Sequence, residues 1–573
     1  MPLDVPDVKT LIDEFLEDQR SLTAVERFAR VHQQHQAPLL ESHYRHLIPL
    51  STPRPGEQYA FEVDLDRCSG CKGCVTACHS LNGLDDGESW RDVGILVGAA
   101  AASAVSQRPW ETKSHARGIP CSTESHASPM ANALHQTVTT ACHHCVEPGC
   151  LLGCPVLAYD KDPITGIVRH LDDQCIGCSY CILKCPYEVP KYSASRGIVR
   201  KCDMCHGRLA QGEAPACVQA CPNEAIRITL VRPEVVRQLN ADSVQGENPW
   251  LPDSPQPSIT LPTTRYLTKR KSSQLKAADH DRLKPQPPHW PLVWMLLLTQ
   301  MAVGLLAGAA ALLFQPIQPS SAALLLAAWF TLHVGLAASV FHLGQPLRAW
   351  RAFLGWRTSW MSREIMAFGA LSGSTSLALT CVGLSELGWV VPSVFLAGST
   401  LTALGLGLLA VFTSVMIYVD THRPCWNSTT TAVRFFGQSG LLGSAGAAVV
   451  AGWIHWLTNK PPGVAVAFAG IAFAIRSALF AWDRVSLSRA LADPKHPRHR
   501  SAKLEASCFG AVLAWRRTLY VISTITGALA IGNLAGIGPL WATISLTSTL
   551  ASSLMERFLF FAAAHSPKMP GIP

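Results

Sequence analysis

The order of apolar and polar positions splits this chain into two unlike halves. Up to about Lys284, apolar residues come in short alternating runs broken by Gly, Pro, Asp and Asn. From about Pro291 they fill long stretches of Leu, Ala, Gly and Trp almost free of charge. Eight such stretches lie at about 291–314, 321–341, 364–384, 393–418, 434–456, 463–482, 516–536 and 540–562. Each approaches the roughly 20 residues that a helix needs to cross hydrocarbon. They predict an all-α polytopic membrane domain of about eight helices over 291–573.

In the polar half, YAFEVDL (59–65), GIVRHL (166–171) and AIRITL (225–230) read as strands, each beside a cysteine-rich loop and a short helical pattern. That order predicts an α+β ferredoxin-like domain over 58–235, made of two such units. Residues 1–57 read as a helical extension: Asp7 can cap a first helix, and Thr23-Ala-Val-Glu26 has the capping-box pattern of a second. The stretch 79–141, rich in Ser, Ala and Gly, reads as a surface insertion holding Cys121 as an ordinary thiol. Residues 236–290 form a Pro-rich linker with the basic run LTKRKSSQLK, expected to run extended along the preceding domain.

Charge changes the picture in one respect. The formal net charge is +8, but the basic residues sit in the linker and in loops between apolar stretches, which suits a membrane surface and not a nucleic-acid footprint. Arg348, Arg351, Arg357, Arg363, Arg423, Arg434 and the run from Arg484 to Lys503 fall on one side, with Lys460 alone on the other. The rule that cytoplasmic loops are positive puts the basic loops and the polar domain in the cytoplasm, and the protein in the inner (cytoplasmic) membrane. The start, MPLDVPDVKTLIDEFLEDQR, has no basic n-region and apolar core, so no secretory signal is read there.

Sixteen of the twenty cysteines form four tetrads: Cys68, Cys71, Cys74, Cys78; Cys142, Cys145, Cys150, Cys154; Cys175, Cys178, Cys181, Cys185; and Cys202, Cys205, Cys217, Cys221. The first and third have the C-x2-C-x2-C-x3-C spacing in which three thiolates grip one cubane and the fourth serves a neighbour. Three tetrads end in Cys-Pro; the first has His79 in place of Pro. Zinc ribbons are the structural alternative, built from paired C-x2–4-C knuckles. Four consecutive tetrads with a final x3 gap favour iron–sulfur ligation and four 4Fe–4S clusters. A thiolate-held cubane is anionic, and Lys72, Lys184, Arg200 and Lys201 stand near enough in sequence to tune it.

TACHHCVEPGCLLGCPV, DDQCIGCSYCILKCPYEVPKYS and KCDMCHGRLAQGEAPACVQACPNEAI carry a resemblance: residues 58–266 look like the four-cluster iron–sulfur subunit (the B subunit) of the dimethyl sulfoxide reductase family. The resemblance implies that tetrads share clusters. Cys68, Cys71, Cys74 and Cys221 would hold one; Cys202, Cys205, Cys217 and Cys78 a second; Cys142, Cys145, Cys150 and Cys185 a third; Cys175, Cys178, Cys181 and Cys154 the last. Residues 288–564 resemble that family's membrane-anchor subunit (the C subunit), chiefly through FHLGQPLRAWRAFLGWRTSWMSREI, WPLVWMLLLTQMAVG and ERFLFF. In the family the positions of His342 and Glu364 are associated with menaquinol. Here two usually separate subunits stand in one polypeptide.

Quinol oxidation asks for such residues in its own right, because it releases two protons with two electrons. Helix-dipole complementarity is the plainer reading, since His342 ends the second stretch and Glu364 opens the third. His333 reads as a weaker quinol candidate or, equally, as a core residue bonded between helices, and Arg476 and the Glu556/Arg557 pair as interhelical partners. The function expected is a non-catalytic electron-transfer and anchor component of a quinol-dependent oxidoreductase complex. It would oxidise menaquinol or ubiquinol and relay electrons through four 4Fe–4S clusters to a separate molybdopterin-containing catalytic subunit, in anaerobic respiration. The alternative runs the same path in reverse, from a substrate-oxidising partner to quinone. An ion transporter would need a membrane-traversing series of acidic residues, of which the apolar stretches offer few.

Overall fold

The computed structural model describes residues 41–98, 135–241, 250–270, 275–313, 319–459, 462–532, 536–565 and 568–572, with isolated positions 17 and 26. Most of the helical extension, its caps at Asp7 and Thr23, Cys121 and Lys460 lie outside the described residues.

Small sheets carry the cysteine domain. Strand β1 (Gln58–Asp64) is the middle of one sheet, flanked by β8 (Ile226–Val231), antiparallel, and β9 (Arg265–Leu267), parallel. A second sheet joins β2 (Asp92–Gly98), β3 (His135–Thr140) and β10 (Leu275–Ala277). Hairpins β4–β5 (Tyr159–Lys161, Val168–His170) and β6–β7 (Lys191–Ser193, Ile198–Arg200) complete the set. The region between the first two tetrads is thus more than a surface insertion. Its ends pair as β2 and β3 in the register Asp92↔Thr140, and β2 has buried Leu96 and Val97 to anchor it. The Pro-rich segment contributes β9 and β10, one to each sheet, so it follows the domain by backbone hydrogen bonding.

Short helices α1 (Gly73–Asn82), α2 (Gly149–Leu152), α3 (Tyr180–Lys184), α4 (His206–Ala210) and α5 (Ala216–Gln219) follow the cysteine loops, and α6 (Pro233–Ala241) follows β8.

The second half is helical: α7 (Trp290–Ala311), α8 (Pro319–Val340), α9 (Trp360–Glu386), α10 (Ser393–Val419), α11 (Ser428–Thr458), α12 (Gly463–Ala492), the short α13 (His499–Ser507), α14 (Gly510–Gly532) and α15 (Gly538–Ala562). Six of these, α7 to α12, are long and apolar enough to cross a membrane. α14 and α15 pack as a hairpin against them and carry Arg516, Arg517, Glu556 and Arg557. α7 is apolar all round and is the axis of the bundle, touching α8, α10, α11 and α15. It meets α11 through two glycines: a Cβ on Gly304 would lie 2.0 Å from the Ser439 carbonyl oxygen, and one on Gly443 2.2 Å from Gly304. Such close backbone approach is the general use of small residues between membrane helices.

Charged residues extend α12 well past its apolar stretch, through Arg484 and Arg489 to Ala492. Basic loops meet the cysteine domain, as Arg348 and Arg351 do through the carbonyls of Asp172, Cys175 and Asp173. The C-terminal residues return to the same side, where Lys568 pairs with Asp279 at 2.8 Å.

Candidate functional site

The cysteine loops bend by left-handed residues. Lys72 in the first tetrad and Ser179 in the third occupy the same position and share one conformation, φ 60° and 59°, and Cys205 in the fourth has φ 50°. The turn starts α1, α3 and α4 directly afterwards, so thiols from the loop and the helix face one point.

Tertiary packing then brings in a fourth thiol from another tetrad. One hollow is lined by Cys68, Cys71, Cys74 and Cys221, a second by Cys142, Cys145, Cys150 and Cys185, a third by Cys154, Cys175, Cys178 and Cys181. Cys78, Cys202, Cys205 and Cys217 stand close enough to act on one another's charge. The three hollows are lined by sets that the family resemblance implies, and the fourth set is related here through charge alone. Among the described residues no three His, Cys, Asp or Glu side chains converge on a single ion site.

Burial, reinforced by neighbouring thiolates, pushes Cys78 and Cys205 up to about 12. Burial likewise takes Cys154 and Cys185 to about 11. Four such thiols ionise together only around a cationic core, which iron supplies. Backbone N–H groups already point at the sulfurs: Ala158 N donates to Cys154 Sγ (3.2 Å), Gly177 N to Cys175 Sγ (3.4 Å), Met204 N to Cys202 Sγ (3.4 Å) and Ala225 N to Cys221 Sγ (3.3 Å). The donor set fits iron–sulfur clusters.

Of the four cations named from the sequence, Lys201 reaches a thiol, its Nζ lying 3.6 Å from Cys142 Sγ. Lys184 turns away to Asp420 (2.7 Å), Arg200 pairs with Glu88 (3.2 Å), and Lys72 is exposed. The cation that sequence reasoning missed is Arg91. It is 1 % exposed, stacks over Phe61 and donates to Thr139 Oγ1 (3.1 Å), while its Nε and Nη2 have no hydrogen-bond partner. Its charge acts on Cys217, Cys74, Cys202 and Cys78. No spacing marks Arg91, because it comes from the edge of β2, outside every tetrad.

The hollow of Cys154, Cys175, Cys178 and Cys181 abuts the membrane helices. Tyr180, beside Cys181, donates to the Ile417 carbonyl (3.0 Å) near the end of α10, and Lys184 Nζ reaches the Asp420 carbonyl (2.8 Å). From the other side Ser359 Oγ donates to the Gly153 carbonyl (2.7 Å) and Gly355 N to the Pro155 carbonyl (2.8 Å). Glycines permit the approach: a Cβ on Gly344 would lie 2.0 Å from the Gly197 carbonyl oxygen.

Glu364 is buried in α9, one turn beyond Ser359, and accepts from Ser414 Oγ of α10. Its charge is felt by Tyr180. His342 lies just past α8; its Nδ1 bonds the Ser339 carbonyl and its Nε2 is buried without a partner. Burial holds the His342 imidazole below its ordinary value, and His289 at the start of α7 adds to that. The structure gives His342 and Glu364 separate hydrogen-bond partners and does not join them. His289 is a neighbour that the sequence did not single out. His333 bridges α8 and α9, from the Trp329 carbonyl to Ser372 Oγ (2.8 Å each). Glu556 faces Arg434 (3.5 Å) and Arg557 (3.0 Å), whereas Arg476 bonds hydroxyls and a carbonyl and has no carboxylate partner among the described residues.

Comparison with known proteins agrees with this geometry. Residues 134–230 match the family described as a 4Fe–4S dicluster domain, and residues 286–563 the DMSO reductase anchor subunit. The B subunit of the anaerobic dimethyl sulfoxide reductase of Haemophilus influenzae is 32 % identical over 170 residues, 30 % of this protein and 73 % of that one. This protein belongs to the dimethyl sulfoxide reductase iron–sulfur subunit family. A probable anaerobic dimethyl sulfoxide reductase component of Escherichia coli K12, YnfG, is 34 % identical over 169 residues, 30 % of this protein and 72 % of that one. The hydrogenase-2 operon protein HybA of Escherichia coli O157:H7 is 34 % identical over 184 residues, which cover 52 % of its length. Unlike a separate iron–sulfur subunit, this member continues into an anchor region. It is a multi-pass membrane protein whose iron–sulfur part is covalently joined to its anchor.

Proposed function

We propose that this protein oxidises a membrane quinol and relays the electrons to a separate molybdopterin-containing catalytic subunit. The iron–sulfur domain would lie on the cytoplasmic side of the inner membrane. The observation that carries the reading is the seam at Tyr180. A cysteine loop is hydrogen-bonded to the end of α10, and the buried Glu364 bonds the same helix.

His342 Nε2, buried without a partner, would accept one proton from a quinol hydroxyl, and burial holds its imidazole below its ordinary value. Glu364, held by Ser414, is a second acceptor, and two acceptors match the two protons that a quinol gives up. Cys154, Cys175, Cys178 and Cys181 would bind the cluster next to the seam, and the other three groupings would hold the rest. Four bound 4Fe–4S clusters would supply one-electron transfer across the domain. Asp420 and Lys184 fix the distance between the loop and the helices.

Purification from mildly solubilised membranes tests this: about sixteen iron atoms per polypeptide are expected, four cubanes' worth, with a molybdenum subunit co-purifying. His342→Ala and Glu364→Ala should keep the iron and lose cluster reduction by a quinol analogue. Unchanged reduction rates in both variants would remove those residues from the mechanism.

A further inference from the structure

One cavity among the described residues lies away from the quinol seam. It opens between α12 and α14, is floored by α11 and α15, and measures about 640 Å³ including its mouth. Four arginines line it, Arg476, Arg484, Arg516 and Arg517, against one carboxylate, Asp483. Asp483 is already taken by Arg516 (2.9 Å) and, from behind, Arg434 (3.3 Å). Arg484 and Arg517 are exposed at the mouth and have no carboxylate partner among the described residues. Deeper in, Arg476 is 3 % exposed; it bonds the Ser523 carbonyl and the hydroxyls of Ser545 and Thr549, and its Nε has no partner. A guanidinium buried within a membrane bundle without a counter-ion is costly, and such groups mark bound anions or pathways.

We infer that this cavity binds the phosphate headgroup of an anionic phospholipid from the leaflet facing the iron–sulfur domain. Depth fixes the leaflet. Leu487 of α12 and Leu513 of α14, which line the cavity, belong to an apolar cluster with Leu283, the residue that leads out of the cysteine domain. The apolar flanks favour a lipid over a free phosphate ion. Val485, Trp515 and Val521 face outwards beside the mouth, 45 %, 62 % and 50 % exposed, where acyl chains would lie, and a tryptophan at this level is the usual neighbour of headgroups. Inside, the Tyr520 ring stacks on Phe480 (3.9 Å between centroids), giving the cavity one apolar wall. Basic pockets between membrane helices are the general form of headgroup recognition.

The test uses the full complex, stripped of lipid in mild detergent and given phosphatidylglycerol, phosphatidylcholine or sodium phosphate. Native mass spectrometry should show phosphatidylglycerol retained in preference to phosphatidylcholine. Arg484→Gln/Arg517→Gln, at exposed positions, should weaken phosphatidylglycerol binding about thirtyfold with iron content unchanged. Arg476→Gln should weaken it too, and phosphatidylglycerol should raise the thermal midpoint of the parent more than that of either variant. Equal retention of both lipids, or a double variant that binds phosphatidylglycerol as the parent does, would overturn the assignment. So would sodium phosphate alone giving the full thermal shift, since the site would then be for the free ion.

Discussion

Tyr180 donates its hydroxyl proton to the carbonyl of Ile417, 3.0 Å away, and so ties a cysteine loop to a membrane helix 237 residues further along the sequence. The ring itself is packed in the apolar core of the helical bundle. The iron–sulfur domain is therefore keyed into the anchor by a residue adjacent to one of its cysteines.

Tyr180→Phe keeps the ring and removes the bond. The Ile417 carbonyl, left buried without that donor, should cost about 1–3 kcal/mol. Thermal denaturation of the solubilised protein should show a lower midpoint with full iron content, and reduction by a quinol analogue should slow. An unchanged midpoint would mean that the hydroxyl is not part of the seam.

Gly344 has no room for a methyl group, which would lie 2.0 Å from the Gly197 carbonyl. Gly344→Ala should push the anchor loop off the iron–sulfur domain. The clusters should assemble and accept electrons from dithionite, while quinol-driven reduction falls. Normal quinol-driven rates would show that the loop can shift without consequence.

Arg91 brings a buried positive charge to the thiols of Cys74, Cys78, Cys202 and Cys217. Arg91→Met should lower the potential of the clusters there by on the order of 100 mV, the effect of one unit charge several ångströms away at an effective dielectric near 20. Redox titration followed by EPR measures it, and Arg91→Lys should restore part of the shift. Equal potentials in parent and Met variant would make Arg91 a packing residue only.

His565 links the C-terminal segment to the rest. Its Nε2 accepts from Arg500 (3.2 Å), a bond that needs the neutral imidazole, and Ser501 Oγ accepts from its backbone N–H (3.0 Å). Burial, then Arg500, Lys568 and Arg423, push its pKa from 6.5 down to about 4. The unfolded state therefore takes up this proton first as pH falls. The stabilisation is fully present above about 6.5 and is lost towards 4, a change of up to about 3 kcal/mol. The thermal midpoint of the parent should drop between pH 7 and pH 5 more steeply than that of His565→Gln. Parallel curves would refute the assignment.

The cysteine tetrads, the strand runs beside them and the long apolar stretches were legible in the sequence because each is a local pattern. Thiol spacing, alternation and helix length all act within a few residues or turns. The positions of His342 and Glu364 at the ends of two helices on the domain side were legible for the same reason.

What only the tertiary structure decided are relations between distant segments. Cys221 reaches the first tetrad because β8 pairs with β1, and Cys154 joins the third through packing of α2 on α3. The strands at Asp92 and His135 emerge because their partners lie across the insertion and in the linker. Lys184 stands in the sequence as a cluster cation, yet it faces Asp420, since a charge in a seam takes the nearest opposite charge. Arg91 carries no motif at all: its role exists only where a strand edge, an aromatic ring and thiols from two tetrads come together. Spacing along a sequence encodes which groups can cooperate with their neighbours, while burial and long-range pairing decide which of them meet.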